Sequence, residues 1–227
     1  MTSLAQLQQH LKNTGRYSGA VDGLWGKLTE AGILIMLTDG PDTKLTEQDF
    51  VESAARLGVT PAHIKAVVAV ESNGAGFFAG KPLILPEPHR FSKATGRAFD
   101  GSHPQISYPK WGTRPYPKTQ DGRYDVLLQM IRLNVDAGFG SASYGKFQIM
   151  GENHKLCGYA TTWQFAEAMA RDERTQLMAF EHFIINTGLL AALKRGDWVA
   201  FARGYNGTGY AKNRYDVKLA QAFRSFQ

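Results

Sequence analysis

The sequence predicts a mainly α-helical protein interrupted by one long loop-rich stretch, and two observations carry that expectation. Apolar residues recur at helical spacing up to about residue 72 and again after residue 125. Between them, residues 74–123 are rich in Gly, Pro, His and aromatics with little periodicity, the composition of long loops with room for a small hairpin. The first helix is marked by Leu4, Leu7 and Leu11, with Gly15 as its stop. Residues 15–26 are turn-rich, Asp22-Gly23 being the strongest signal, and a second short helix is expected from Lys27 or Thr29 towards Leu37. Residues 39–42 read as a linker. Thr46 and Asp49 match a capping box ahead of a helix bearing Phe50, Ala54 and Leu57, and Thr60-Pro61 opens another. In the second helical region, helices are expected over 126–133, 162–169, 173–185, 189–193, 197–203 and 215–226.

Composition narrows the function classes. With 43% hydrophobic and 20% charged residues, the 227-residue chain can bury a core, which excludes general disorder. The single Cys157 excludes an intramolecular disulfide framework and a Cys-rich zinc site. No apolar run reaches 18 residues, so no stable membrane insertion is expected. Met1 to Leu4 shows no basic segment leading into an apolar core, so no secretory signal is expected and synthesis is placed in a cytosol. Charge is uneven: residues 1–60 hold 5 Lys/Arg against 7 Asp/Glu, and the remainder holds 21 against 13, giving −2 and +8. The larger part therefore suits a polyanionic partner, whether nucleic acid, an anionic envelope polymer or an acidic membrane surface. Its basic residues are scattered rather than interleaved with aromatics, which disfavours nucleic acid.

Three constellations bear on chemistry. Ile64, Val67, Val68 and Glu71 share one helical face, so Glu71 ends an apolar stripe just before Ser72-Asn73-Gly74. A carboxyl desolvated there rises in pKa, and a protonated carboxyl is what glycosidic cleavage needs to protonate the leaving oxygen. A glutamate frayed into solvent or paired with an arginine fits the same pattern. The second constellation is Ser143-Tyr144-Gly145-Lys146-Phe147-Gln148-Ile149, where backbone and the Gln148 amide can approach a sugar; a small-residue packing site looks alike. In the third, Tyr205-Asn206-Gly207, Tyr205 shares a helical face with Trp198, Phe201 and Ala202, and Asn206 serves equally as a helix terminator.

In this order, Glu71-Ser72, then Tyr144-Gly145 through Phe147-Gln148-Ile149, then Tyr205-Asn206-Gly207 resembles the lysozyme superfamily, and residues 58–227 most resemble the N-acetylmuramidase domain of phage endolysins. Further matching segments are Lys81 to Leu85, His103-Pro104, Asn153-His154 and Cys157-Gly158-Tyr159. One departure is Leu85-Pro86-Glu87-Pro88-His89, where prolines flank the glutamate and force extended backbone. Residues 7–29, with Tyr17, Val21-Asp22-Gly23, Trp25 and Gly26, resemble a three-helix peptidoglycan-binding module.

The resemblance implies a mainly α protein: a small peptidoglycan-binding bundle over 1–40, a connecting segment over 41–57, and a lysozyme-like catalytic domain with a loop or β-hairpin insertion over 58–227. It implies a peptidoglycan hydrolase with Glu71 as the catalytic acid and with Glu87, Tyr144, Phe147, Gln148, Tyr205 and Asn206 lining the glycan groove. Tyr17, Asp22, Gly23 and Trp25 would serve the binding module. The expected partner is the peptidoglycan glycan strand, met by a monomer without metal or cofactor and released from a host cytoplasm through a separate pore-forming protein. A lytic transglycosylase using the same Glu71, an amidase using Cys157 with His154 or His89, and a non-enzymatic wall-binding protein remain as alternatives.

Overall fold

The structure, a computed structural model, describes residues 3–227. Met1 and Thr2, which begin both the expected signal-free start and the 1–40 module, lie outside the described residues. Among these the chain is dominated by helix, as its periodicity predicts. The N-terminal part pairs α1 (Ser3–Asn13) with α2 (Lys27–Met36) around Leu7, Leu11, Ile33 and Met36, all buried. Gln8, fully buried between them, organises the turn region: its Oε1 accepts from Gly23 N at 2.7 Å, and its Nε2 faces Leu24 O at 2.9 Å and Asp22 Oδ1 at 3.1 Å. Gly23 turns there at φ 72°, the left-handed region that suits glycine.

Residues 39–42, which read as a linker, are packed against the body. Asp42 N donates to Arg171 O at 3.2 Å, and a methyl group on Gly40 would collide with the Ala170 carbonyl. Arg16 bridges Asp39 and Glu167, His10 meets Glu167 at 2.8 Å, and the His10 ring lies 4.7 Å from that of Trp163. A cleft of about 630 Å³ opens along this seam between Arg16, Asp39, Tyr159, Gln164 and Arg171. One apolar core runs from Leu7 and Leu11 through Ile64, Val67 and Phe180 to Leu219, so the N-terminal helices share the core of the rest.

Next come α3 (Glu47–Leu57) and α4 (Pro61–Ser72). The expected capping box holds: Thr46 N donates to Asp49 Oδ2 at 2.8 Å and Asp49 N to Thr46 Oγ1 at 3.3 Å. The loop-rich stretch contains the anticipated hairpin, β1 (Phe77–Phe78) and β2 (Lys81–Pro82), turned by Ala79 and Gly80 at positive φ. Strand β3 (Ile84–Pro86) then pairs antiparallel with β4 (Ala142–Tyr144), which pairs with β5 (Ile149–Met150). The free edge of β3 is satisfied by a side chain, since Gln120 Oε1 accepts from Ile84 N at 3.1 Å.

Two short helices go beyond the periodicity: α5 (Pro88–Ala94), started by Pro88 in its first turn, and α7 (Val135–Gly140), capped by Asn134. Between them runs α6 (Gln120–Leu133). A second, smaller core of Phe91, Ile106, Met130 and Ala137 ties α5 and the 95–119 loop to α6 and α7. The C-terminal half supplies α8 (Thr162–Met169), α9 (Glu173–Asn186), α10 (Leu190–Arg195), α11 (Trp198–Asn206) and α12 (Tyr215–Ser225), the last packed along α4.

Candidate active site

Glu71 lies one residue from the C-terminal end of α4, where Ile64, Val67 and Val68 on its face are buried in the core. The side chain is crowded on nearly every side yet remains partly accessible. That burial pushes its pKa up to about 7; one hydrogen bond, from Asn206 Nδ2 at 2.8 Å, and the charge of Lys218 pull the other way. The helix end works in the same direction as burial, because unsatisfied carbonyls there oppose a nearby negative charge. Glu71 is therefore a carboxyl that keeps its proton close to neutrality, neither frayed into solvent nor paired with an arginine.

Asn206 closes α11, with Gly207 as its C-cap at φ 79°, so terminator and active-site partner are one residue. While Nδ2 donates to Glu71, Asn206 Oδ1 is buried and has no protein partner, leaving an acceptor beside the carboxyl. Tyr205, next to it, donates its hydroxyl to Phe147 O at 2.6 Å and stacks on Phe201 at 5.3 Å. Its ring braces α11 against the β4–β5 hairpin.

The hairpin corrects part of the expected groove. Tyr144 and Phe147 lie in the core at 1% exposure: the Tyr144 hydroxyl donates to Phe139 O at 3.0 Å, and Phe147 stacks on Phe180 at 4.5 Å. Both belong to the core and have no face free to line a groove. Gln148 is also occupied, because its Oε1 accepts from Ser143 Oγ at 2.8 Å and its Nε2 donates to Gly145 O at 2.8 Å. These bonds hold Gln148 at φ 48°, a left-handed backbone that a non-glycine residue adopts only when its surroundings fix it. Gly145 is needed for space as well as conformation, since any Cβ would run into the Gln176 side chain. Aromatic residues between small ones can face either way, and here the core claimed both, while the half-buried Gln148 amide is held by Ser143 and Gly145.

Glu87 stands at the junction of β3 and α5 as the extended N-cap residue, in line with its flanking prolines. Its backbone N–H donates to Ser141 O at 2.8 Å, which anchors it to the sheet. The carboxylate accepts the hydroxyl proton of Tyr116, and His89 Nδ1 lies 3.2 Å from the same oxygen. Burial and the facing Glu87 carboxylate both push the Tyr116 phenol up, so it stays a donor. Tyr108 and Tyr215 also feel Glu87, and Tyr215 feels Glu71 as well. Tyr116, Tyr215 and Lys218 are neighbours of the two carboxyls that no local motif marks; only the return of the 95–119 loop and of α12 brings them in, whereas His89 follows Glu87 by two residues on α5.

Behind the site, buried Glu173 gathers three groups: Lys146 Nζ at 3.0 Å, Gly76 N at 3.0 Å and Leu45 N at 2.9 Å. Lys146 also donates to Gly74 O, fixing the loop that follows Glu71. Cys157, by contrast, is buried, and its thiol is pushed up to about 12, so it supplies little thiolate for an amidase. In the N-terminal part, the Tyr17 hydroxyl donates to Ala20 O at 2.7 Å and Asp22 accepts from Leu24 N at 2.9 Å. Trp25 is half-buried while Leu24 is exposed beside it.

Comparison with known proteins gives this geometry a family. Residues 60–227 match the family model described as "Muramidase: N-acetylmuramidase". The chain belongs to the N-acetylmuramidase family. It is thus a lysozyme-like hydrolase of peptidoglycan. The muramidase is also similar to a solved structure, a Burkholderia AP3 phage endolysin, at 31% identity and a TM-score of 0.71. That likeness covers 100% of this chain and 95% of the endolysin. No curated protein sequence matches the chain. No helix among the described residues of the muramidase is long and apolar enough to cross a membrane.

Proposed function

We propose that this muramidase is a phage-type endolysin that hydrolyses the β-1,4 bond between N-acetylmuramic acid and N-acetylglucosamine. The observation that carries the reading is Glu71, a crowded carboxyl with a pKa of about 7 at the end of an apolar stripe. Protonated Glu71 gives its proton to the glycosidic oxygen as the C–O bond breaks, and the sugar carbon develops oxocarbenium character. Asn206 orients the Glu71 carboxyl. Glu87, met by Tyr116 and His89, is the second carboxylate. It takes a proton from the attacking water, leaving a reducing muramic end.

In this reading residues 1–40 are a wall-binding module, 41–57 connect, and 58–227 catalyse, in a chain acting as a monomer. Tyr17, Asp22 and Gly23 shape the turn region, and Trp25 with exposed Leu24 and Leu28 offers the contact surface. The +8 charge of residues 61–227 favours the anionic wall. Release from the host cytoplasm through a separate pore-forming protein completes the lytic role. Mass spectrometry of digested peptidoglycan tests the reaction. Reducing muramic ends support it; 1,6-anhydro ends would reassign the chain as a lytic transglycosylase, and free peptides as an amidase.

A further inference from the structure

Of the four tryptophans, Trp163 is buried and Trp25 and Trp198 pack on the core, whereas Trp111 stands 56% exposed. It sits at the tip of the 95–119 loop, and that loop is firmly built. Ile106 and Tyr108 are buried in it, and Asp100 accepts from Ser92 Oγ at 3.0 Å and Ser107 Oγ at 2.6 Å. The tip itself is closed by Thr113, whose N and Oγ1 donate to Lys110 O at 3.3 and 2.7 Å. Arg114 Nε braces it on Pro104 O at 3.1 Å. A large indole held in water by an ordered loop forgoes the apolar burial that the other three obtain.

Position supplies the reason. The indole N–H of Trp111 faces the Tyr116 hydroxyl, and that hydroxyl donates to Glu87. The polar edge of the ring is thereby tied to the second carboxylate, while more than half of the side chain stays in solvent. We propose that Trp111 is a stacking platform for an N-acetylated sugar of the glycan strand, at the Glu87 side of the groove and beyond the two sugars that share the cleaved bond. The axial C–H groups of a β-linked pyranose carry partial positive charge and fit the electron-rich face of an indole. Exposed Lys110 beside it suits the acidic peptides that peptidoglycan strands carry. The platform rests on the reading of this chain as a glycan-cleaving enzyme.

The test uses the full chain carrying Glu71→Gln, titrated with soluble peptidoglycan glycan strands stripped of peptide and followed by tryptophan emission. Binding should change the emission, and both the change and the affinity should depend on Trp111. Trp111→Ala and Trp111→Phe in the Glu71→Gln background should each lose the emission change. The alanine variant should bind about tenfold more weakly, equivalent to about 1.4 kcal/mol, and the phenylalanine variant should keep part of the affinity. In otherwise wild-type enzyme, Trp111→Ala should raise KM by a larger factor than it lowers kcat, with the cleaved bond retained. Unchanged affinity and emission in both variants would overturn the platform, as would a fall in kcat at constant KM. Product analysis of the wild-type digest reports separately on the cleavage reading, so the two failures are distinguishable.

Discussion

Glu71 and Glu87 are the same side chain in opposite settings. Glu71 closes α4 among apolar residues, with one amide donor and a helix C-terminus at its back. Glu87 opens α5, and a phenol hydroxyl and an imidazole converge on it. The difference teaches how setting alone separates identical side chains: burial and a helix end hold a proton on Glu71, while a phenol and an imidazole meet Glu87. On the proposed reading the first is the proton donor and the second the acceptor. This division of labour can be broken experimentally at several points.

The largest effect is expected at the donor. Glu71→Gln keeps shape and burial but has no proton to give, so turnover should fall by roughly 10²–10⁴-fold with the fold intact. Near wild-type clearance of cell-wall turbidity by a folded variant would end the assignment. Glu87→Gln comes next, with a loss of roughly 10²-fold and unchanged binding of glycan strands to the variant. Tyr116→Phe should cost about tenfold, the worth of one hydrogen bond to a charged group. If Tyr116→Phe were as damaging as Glu87→Gln, the phenol and not the carboxylate would be the reacting group.

Stability provides a third handle, with its sign fixed by linkage. Glu71 holds its proton more tightly folded, at about 7, than at its ordinary 4.5. Its contribution to stability is fully present below 4.5 and is lost as pH rises towards 7 and beyond. Glu71→Gln has nothing to ionise, so in urea titrations it should match wild type near pH 4.5 and exceed it by up to about 3 kcal/mol at pH 8. A gap that stays constant with pH would mean that burial does not hold the proton. The smallest expected effect is at Lys218, whose charge favours ionised Glu71. Lys218→Met should move the alkaline limb of the kcat profile slightly upward, the shift kept small because its ammonium is exposed and screened. A downward move would contradict the geometry.

The long helices were legible because each had to bury one face, and periodicity records that demand. Helix α8 spans 162–169 as expected, and α12 ends one residue early. The short helices α5 and α7 were not, because six or seven residues hold less than two turns of pattern and their starts depend on Pro88 and Asn134. The meeting of Glu71 and Asn206 agrees with the order of motifs and with the apolar stripe, since each sits on a helix whose register fixes its direction. Tyr144 and Phe147 could not be assigned to groove or core, because a hairpin offers both faces and only Phe139 and Phe180 decide between them. Tyr116 and Lys218 arrive by chain returns that leave no local signature.

The junction at residues 39–45 bears on recombination. Exchange of wall-targeting segments between lytic enzymes needs a crossover point where neither parent is wedded to its neighbour. Here Gly40 fits only because it lacks a side chain against Ala170, Asp42 bonds to Arg171, and Thr43 and Leu45 both bond to Glu173. Glu173 in turn holds Lys146 and the loop behind Glu71. A graft that replaces the chain through Leu45 would therefore free Glu173 and, through Lys146, the loop behind Glu71, whereas one that keeps the native stretch from Asp39 onward leaves that chain of contacts whole.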